Sequence, residues 1–109
     1  MNPLYLKKCS TCTKNTSIAT PQEKLTWSSQ LDSCWQLKSN YLTRKFEFKN
    51  FKESLAFVNK IGQLAQQHQH HPDILISWAI VELKLHTYSV QNLTENDFIL
   101  AACIDRVSV

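Results

Sequence analysis

The order of the expected elements predicts an α+β domain, a four-stranded antiparallel sheet with about three helices packed on one face. Three segments begin with helix-start signals, at Thr20, Asn50 and Thr94, and apolar residues at helical spacing follow them. Between them lie segments whose apolar residues alternate with polar ones, as in a half-buried strand. The resulting order is helix, strand, strand, helix, a short strand, a long strand and helix, which is typical of this fold class.

Length and composition indicate one globular domain. The chain has 109 residues, of which 43% are hydrophobic and 19% are charged, unlike a disordered chain. No apolar run approaches the roughly eighteen residues that a membrane span needs, and no secretory signal is recognisable, so a cytoplasmic protein is expected. The formal charge of +3 is scattered among acidic residues, so neither a nucleic acid nor a membrane is an expected partner.

The chain divides into two parts. Residues 1–19 are polar and without periodicity, and we expect a flexible N-terminal arm there, with the folded domain over 20–109. Cys9 and Cys12 have the C-x-x-C spacing of half a zinc site. Because Cys34 and Cys103 each stand alone and supply no second pair, we interpret this motif as an unpaired local feature.

The first helix is predicted to begin after Thr20, with proline at its first position and Glu23 three residues after the cap. We expect it to run to about Asp32, with Leu25, Ser28 or Ser29, and Leu31 facing inward. The next two segments, Cys34–Lys38 and Tyr41–Lys49, are predicted strands of a hairpin, since they are rich in aromatic and β-branched residues and only two residues separate them.

The longest helix is predicted from about Phe51 to Gln67, after Asn50 as its cap. Its apolar residues recur at helical spacing and are expected to face the core. They are Phe51, Leu55, Val58, Gly62 and Ala65, with Phe57, Ile61 and Leu64 widening the stripe. A glycine inside a helix costs about 1 kcal/mol relative to alanine, so Gly62 is predicted to mark a close backbone crossing.

Ser77–Tyr88 is predicted to be one long alternating strand. The face expected to pack on the helices contains Ala79, Val81, Leu83, Leu85 and Thr87. The other face is half polar and is open to two readings, a solvent-facing surface or a subunit contact; it contains Trp78, Ile80, Glu82, Lys84, His86 and Tyr88. The last helix is expected to run from the capping segment Thr94–Asp97 to about Val107.

All four histidines, His68, His70, His71 and His86, fall within nineteen residues. Histidine is the side chain that changes its charge closest to neutral pH, so this crowding points to proton transfer or to metal ligation. A metal held by His68, His70 and His86 would lack a convincing carboxylate or thiolate partner, so no metal is expected.

Several motifs share type and spacing with a known family. They are Phe48-Lys49-Asn50-Phe51 with Ala56-Phe57-Val58-Asn59, His70-His71-Pro72 with Trp78 after five residues, Leu93–Phe98 with Ala101-Ala102, and Cys9-x-x-Cys12. Over about residues 20–107 the chain resembles the pterin-4a-carbinolamine dehydratase family, also called 4a-hydroxytetrahydrobiopterin dehydratases. The cysteine motif is similar to that of bacterial relatives of the phenylalanine-degradation type.

The resemblance implies loss of water from a 4a-hydroxytetrahydropterin, which gives a quinonoid dihydropterin and recycles the pterin cofactor of aromatic amino-acid hydroxylases. It implies a pterin substrate, no bound cofactor, a homodimer or homotetramer, and an aromatic amino-acid hydroxylase as a partner. The chemistry needs a proton delivered to the departing hydroxyl and another taken from a ring nitrogen, which histidine suits. By resemblance, His70 is the acid or base and His71 contacts the pterin.

Two positions depart from the family's pattern. Tyr88 stands where the family has a third histidine, and Gln66 stands where it usually has a charged residue. Tyrosine, with a pKa of about 10, can donate a hydrogen bond but is a poor base at neutral pH. An enzyme slowed by Tyr88 and a non-catalytic binding, coactivator or assembly module on the same fold therefore both remain open.

The residues assigned to the site fall into two sets. The catalytic set is His70, His71 and Tyr88. The substrate-binding set is His68, Trp78, His86 and Asp97. Asp97 could also serve only as a helix cap, and His86 could replace the missing histidine only if the ligand or the strand end shifts.

Overall fold

The computed structural model describes residues 3–107 and confirms the α+β class. The helices are α1 (Pro21–Ser28), α2 (Phe51–His68) and α3 (Glu95–Val107), and the strands are β1 (Gln36–Leu37), β2 (Leu42–Glu47), β3 (Asp73–Ile76) and β4 (Ile80–Leu85). The four strands form one antiparallel sheet in the order β1-β2-β4-β3. No helix within residues 3–107 is long and apolar enough to cross a membrane.

The helices cover one face of the sheet, as expected. Val81, Leu83 and Leu85 of β4 are fully buried and join Phe57 of α2 and Phe98 of α3 in a single hydrophobic core. On the opposite face, the side chains that alternate with them stay exposed, and these include Ile80 and Lys84. The alternation in the sequence therefore identifies the buried face of this strand.

The predicted helix starts at Thr20 and Asn50 are confirmed. The Thr20 hydroxyl accepts a hydrogen bond from the Glu23 N–H, and the Glu23 carboxylate accepts one from the Thr20 N–H, which completes a capping box. The Asn50 side chain accepts the Glu53 N–H at 2.9 Å. Both interactions satisfy backbone donors that a helix start leaves without partners.

The strand predicted over Ser77–Tyr88 is present but shorter, since β4 comprises only Ile80–Leu85, and the short strand predicted before it is β3. The chain forms β3, turns at residues 77–79 and returns as β4, so that Ile76 pairs with Val81. The Ser77 N–H and hydroxyl both donate to the Ile80 carbonyl, at 2.8 and 3.2 Å, and close the turn. Since this turn contains neither glycine nor proline, the usual sequence signal for a turn is missing.

The hairpin is present, but its first strand is shorter than predicted and comprises only Gln36–Leu37. The N–H of Cys34 donates to the Asp32 carboxylate and that of Trp35 to the Asp32 carbonyl, so these residues form a turn instead of a strand.

The first helix ends at Ser28 and not near Asp32, and its predicted inward face is confirmed only in part, since Leu31 packs against the core. Leu25 is 63% exposed, whereas Trp27 packs on Phe98 with 5.5 Å between ring centroids. Because an indole ring buries far more apolar area than a leucine side chain, Trp27 determines how the helix is rotated on the core.

The buried stripe of α2 is also rotated from the predicted one. It comprises Ser54, Phe57, Ile61 and Ala65, whereas Phe51 and Leu55, which were expected inside, are each 44% exposed. Phe57 lies against two aromatic rings of the hairpin's second strand and its continuation, at centroid distances of 4.6 and 5.1 Å. These aromatic contacts hold Phe57 inward.

The close backbone crossing predicted at Gly62 is absent. A Cβ built on Gly62 would meet no atom within 4 Å, and the residue is exposed. The glycine therefore lies on the solvent side of the helix.

The N-terminal segment is mostly irregular, apart from a 3-10 turn at Leu4–Leu6. It nevertheless packs on the domain, since Leu4 is 1% exposed within the core and the Ala19 N–H donates to the Leu93 carbonyl at 2.8 Å. The flexibility expected for residues 1–19 stays a prediction. Residues 1–2 of that arm and 108–109 of the predicted domain lie outside the described residues.

Candidate functional site

A cleft of about 420 Å³ opens where α2 ends and the chain leaves β4. Its walls come from three segments, residues 8–12, 67–71 and 86–89. The structure therefore brings together five of the predicted site residues, which are His68, His70, His71, His86 and Tyr88. A cleft of this size lies within the range of small-molecule sites.

The end of α2 places the histidines at the cleft. Gln69 ends the helix in the left-handed conformation, with φ of 52° and ψ of 36°. The next N–H, of His70, bonds back to the Ala65 carbonyl at 3.2 Å, so the chain turns sharply there. His70 and His71 consequently lie at a fixed corner, although no glycine marks the corner in the sequence.

His70 is paired with Asp97 across the core. The His70 Nε2 lies 2.6 Å from the Asp97 Oδ1, in a contact where Asp97 is fully buried and His70 is 9% exposed. A carboxylate accepts from the ring N–H, so Nε2 carries the proton in this pair. The His70 Nδ1 has no hydrogen-bond partner among residues 3–107, and His70 lines the cleft.

Two threonines complete the pair and were not identified from the sequence. The Thr87 hydroxyl donates to the Asp97 Oδ2 at 2.8 Å and the Thr94 N–H donates to the same oxygen at 3.0 Å. Because its carboxylate accepts the Thr94 N–H at the start of α3, Asp97 caps this helix as well as orienting His70. Thr87 was the feature of the sequence that could have indicated this contact, because a threonine on a buried strand face requires a hydrogen-bond partner.

His71 is exposed and lies at the rim of the cleft. Its Nε2 donates to the Gln66 Oε1 at 2.9 Å. Gln66 occupies the position where the resemblance led us to expect a charged residue, and it orients His71 without adding a charge.

Tyr88 also lines the cleft, but its hydroxyl is engaged. It donates to the Asp73 carboxylate, and this hydrogen bond raises the pKa of Tyr88 above its usual value. The phenol is therefore neutral at physiological pH and suits hydrogen bonding better than proton abstraction.

His86 packs against Tyr88, with 4.2 Å between ring centroids in an edge-to-face arrangement. Its Nδ1 is buried and has no hydrogen-bond partner among residues 3–107. The ring nitrogen available to a molecule in the cleft is therefore Nε2.

His68 is held by the N-terminal segment and the last helix. Its Nδ1 accepts the Cys9 N–H at 3.1 Å, and its Nε2 lies 3.7 Å from the Cys103 Sγ. Burial and the nearby Lys8 ammonium lower the pKa of His68. The resulting neutral imidazole matches the acceptor role that Cys9 requires.

The remaining two predicted residues do not line the cleft. Asp97 lies behind His70, and Trp78 is 66% exposed in the turn between β3 and β4. The described part of the chain contains no cluster of three or more His, Cys, Asp or Glu side chains suited to a metal ion.

Comparisons with known proteins agree on one family. Residues 16–107 match the family described as pterin 4 alpha carbinolamine dehydratase. A protein of Alkaliphilus metalliredigens is 43% identical to this chain over 107 residues, which cover 97% of this chain and 96% of that protein. That protein is provisionally named a pterin-4-alpha-carbinolamine dehydratase. One of Rubrobacter xylanophilus, with the same provisional name, is 36% identical over 98% of this chain and 100% of its own length.

Solved structures show the same fold. The crystal structure of a transcriptional coactivator/pterin dehydratase from Brucella melitensis aligns with a TM-score of 0.79 at 26% identity, covering 85% of this chain and all of that one. A pterin dehydratase-like protein, identified as a RuBisCO assembly factor in the alpha-carboxysome, aligns with a TM-score of 0.56 over 68% of this chain and 86% of its own. At 23% identity the latter likeness concerns the fold alone.

Proposed function

The chain belongs to the pterin 4 alpha carbinolamine dehydratase family, and from this premise we propose that it removes water from a 4a-hydroxytetrahydropterin by histidine acid/base catalysis. One observation carries the proposal. The buried pair of His70 and Asp97 opens onto a cleft of pterin-compatible size. The product is the quinonoid dihydropterin.

The reaction needs only bond cleavage at C4a and two proton transfers. The C4a–O bond breaks, a proton reaches the departing hydroxyl so that it leaves as water, and the proton on the neighbouring ring nitrogen is removed. His70 is suited to one transfer because Asp97 holds the proton on Nε2 and leaves Nδ1 for the substrate. A side chain placed in this way contributes about 10²–10⁴ in rate.

The other cleft residues have supporting roles in this proposal. His71 and His86 contact the pterin, and Tyr88 lines the cleft with its hydroxyl donating to Asp73. His68 acts on the substrate only through the shape of the cleft, since both of its ring nitrogens face protein atoms. Trp78 belongs to the outer surface and not to the cleft.

The proposal extends to the protein's partners. The hydroxylated pterin would come from an aromatic amino-acid hydroxylase in the cytoplasm, within phenylalanine metabolism. The open sheet face, with Leu75 65% and Ile80 41% exposed, supports a homodimer or homotetramer.

The test is the decay of 4a-hydroxytetrahydropterin, generated in situ, with and without micromolar purified protein. Wild-type protein is expected to accelerate the loss of the 4a-hydroxyl compound and the appearance of quinonoid dihydropterin. Decay no faster than in buffer would contradict the proposed activity.

A non-catalytic module on the same fold is the second candidate, and the state of Tyr88 favours it. The phenol that replaces the family's third histidine is neutral and engaged by Asp73. Proteins of the same fold include one described as a transcriptional coactivator/pterin dehydratase. This alternative predicts a specific protein partner in a pull-down together with no turnover, and measurable turnover would exclude it.

A further inference from the structure

The segment Lys8–Cys12 lies outside the range that matches the family, which begins at residue 16, yet it forms one wall of the cleft. The histidines at the end of α2 and the residues after β4 form the other walls. A molecule in the cleft therefore meets residues 8–12 as well as the histidines.

Asn96, in the first turn of α3, holds this segment at Ser10. Its Oδ1 accepts the Ser10 N–H at 3.0 Å, and its Nδ2 donates to the Ser10 carbonyl at 2.7 Å and to the Cys12 Sγ at 2.9 Å. Asn96 is 4% exposed. Both backbone groups of Ser10 are thus bound by one buried side chain, which fixes the position of the segment.

Cys9 ties the same segment to the residues beside the catalytic pair. Its N–H donates to the His68 Nδ1, and its thiol donates to the Asn96 carbonyl at 3.4 Å. Asn96 precedes Asp97, and His68 lies two residues before His70. The wall is therefore anchored to the same two elements that position His70 and Asp97.

We propose that Lys8–Cys12 is a substrate-binding wall of the cleft and that Asn96 is the positioning residue that holds it. This inference rests on the proposed function. In it, the wall binds the polar, hydroxylated substituent of the pterin. In this proposal the ring lies beside His70, where the protons are transferred, and its substituent lies along the wall. There, Lys8, Ser10 and Thr11 present an ammonium group and two hydroxyls that form no hydrogen bond to residues 3–107.

The kinetic test compares Asn96→Ala and Thr11→Val with the wild type. Each variant is expected to raise KM about tenfold while kcat changes by less than about threefold, because the wall binds the substituent and leaves the chemical step alone. Thr11→Val is a surface change that keeps the fold, so the test stands even where Asn96→Ala unfolds. The matched control is Lys7→Met, which removes the exposed ion pair with Glu95 in the same segment and should leave KM unchanged.

The binding test uses the thiol of Cys12, which lines the cleft and is partly exposed. In a Cys34→Ser background, iodoacetamide should alkylate Cys12 first, because burial raises the pKa of Cys9 to about 12 and also raises that of Cys103. Saturating 7,8-dihydrobiopterin, a stable pterin without the 4a-hydroxyl, is expected to slow alkylation of Cys12 about tenfold, as followed by mass spectrometry.

The two proposals fail separately. An active wild-type protein whose Thr11→Val variant keeps its KM, and whose Cys12 is not protected by the pterin, overturns the wall and leaves the dehydratase standing. An inactive protein in which the pterin protects Cys12 overturns the dehydratase and supports the wall. A protein that shows neither dehydratase activity nor protection of Cys12 by the pterin overturns both proposals.

Discussion

His70 and Asp97 are 27 residues apart in the sequence, and their contact explains what the histidine motif can do. The spacing of His70, His71 and Pro72 predicts a site, but it does not show which histidine is oriented by a carboxylate. The structure places three donors around Asp97, from His70, Thr87 and Thr94. A neutral amide at Asp97 would lack the charge that makes these hydrogen bonds strong.

Asp97→Asn is therefore expected to lower kcat about 100-fold, because the amide no longer holds the proton on the His70 Nε2. Steady-state dehydration kinetics measure this change, and Glu47→Gln, an exposed carboxylate on the sheet, is the control. A variant that stays folded in a thermal melt and keeps wild-type kcat would show that Asp97 only caps its helix.

The pKa of Tyr88 provides a second prediction for a single residue. Its hydrogen bond to Asp73 raises the pKa in the folded protein. The stability from this bond is complete below about pH 10, the ordinary tyrosine pKa, and is lost as the pH rises through the higher folded value. Asp73→Asn should lower the pKa of Tyr88, as shown by phenolate absorbance with Tyr88→Phe to assign the signal. Identical titrations of the wild type and Asp73→Asn would exclude this hydrogen bond.

Among the elements, those with local signals were predicted best. The caps at Thr20 and Asn50 are short patterns that the backbone requires, so the helix starts were predicted correctly. The turn at residues 77–79 has no glycine or proline, so the strand predicted from Ser77 begins three residues too early. The inward faces of α1 and α2 depend on which aromatic ring meets another across the core, which periodicity alone does not specify.

The exposed Gly62 gives the prediction for α2. Since a Cβ there meets nothing within 4 Å, Gly62→Ala should raise the free energy of unfolding by about 1 kcal/mol through helix propensity. Urea denaturation measures the change, and Gln63→Ala, on the same exposed face, should change stability much less. A destabilised Gly62→Ala protein would indicate a close neighbour.

For the whole molecule, the fold class and the two motif histidines followed from the sequence. The composition of the cleft did not, because its walls combine three distant segments. Residues 8–12 lack periodicity and were expected in a flexible arm, yet buried Asn96 binds both backbone groups of Ser10. Such a contact between distant residues has no signature in either segment, since a single asparagine in a helix start is ordinarily interpreted as a cap.

His70 holds the central place in the proposed dehydration, and one substitution tests it directly. With 4a-hydroxytetrahydropterin generated in situ, the rate of water loss should be about 10²–10⁴-fold lower for His70→Ala than for the wild type, while the variant remains folded. The His71 side chain lies at the rim of the cleft. The His71→Ala variant should therefore lose less catalytic efficiency than His70→Ala, and mainly through a higher KM. A folded His70→Ala protein that dehydrates the pterin within about threefold of the wild-type rate would contradict acid/base catalysis by this residue.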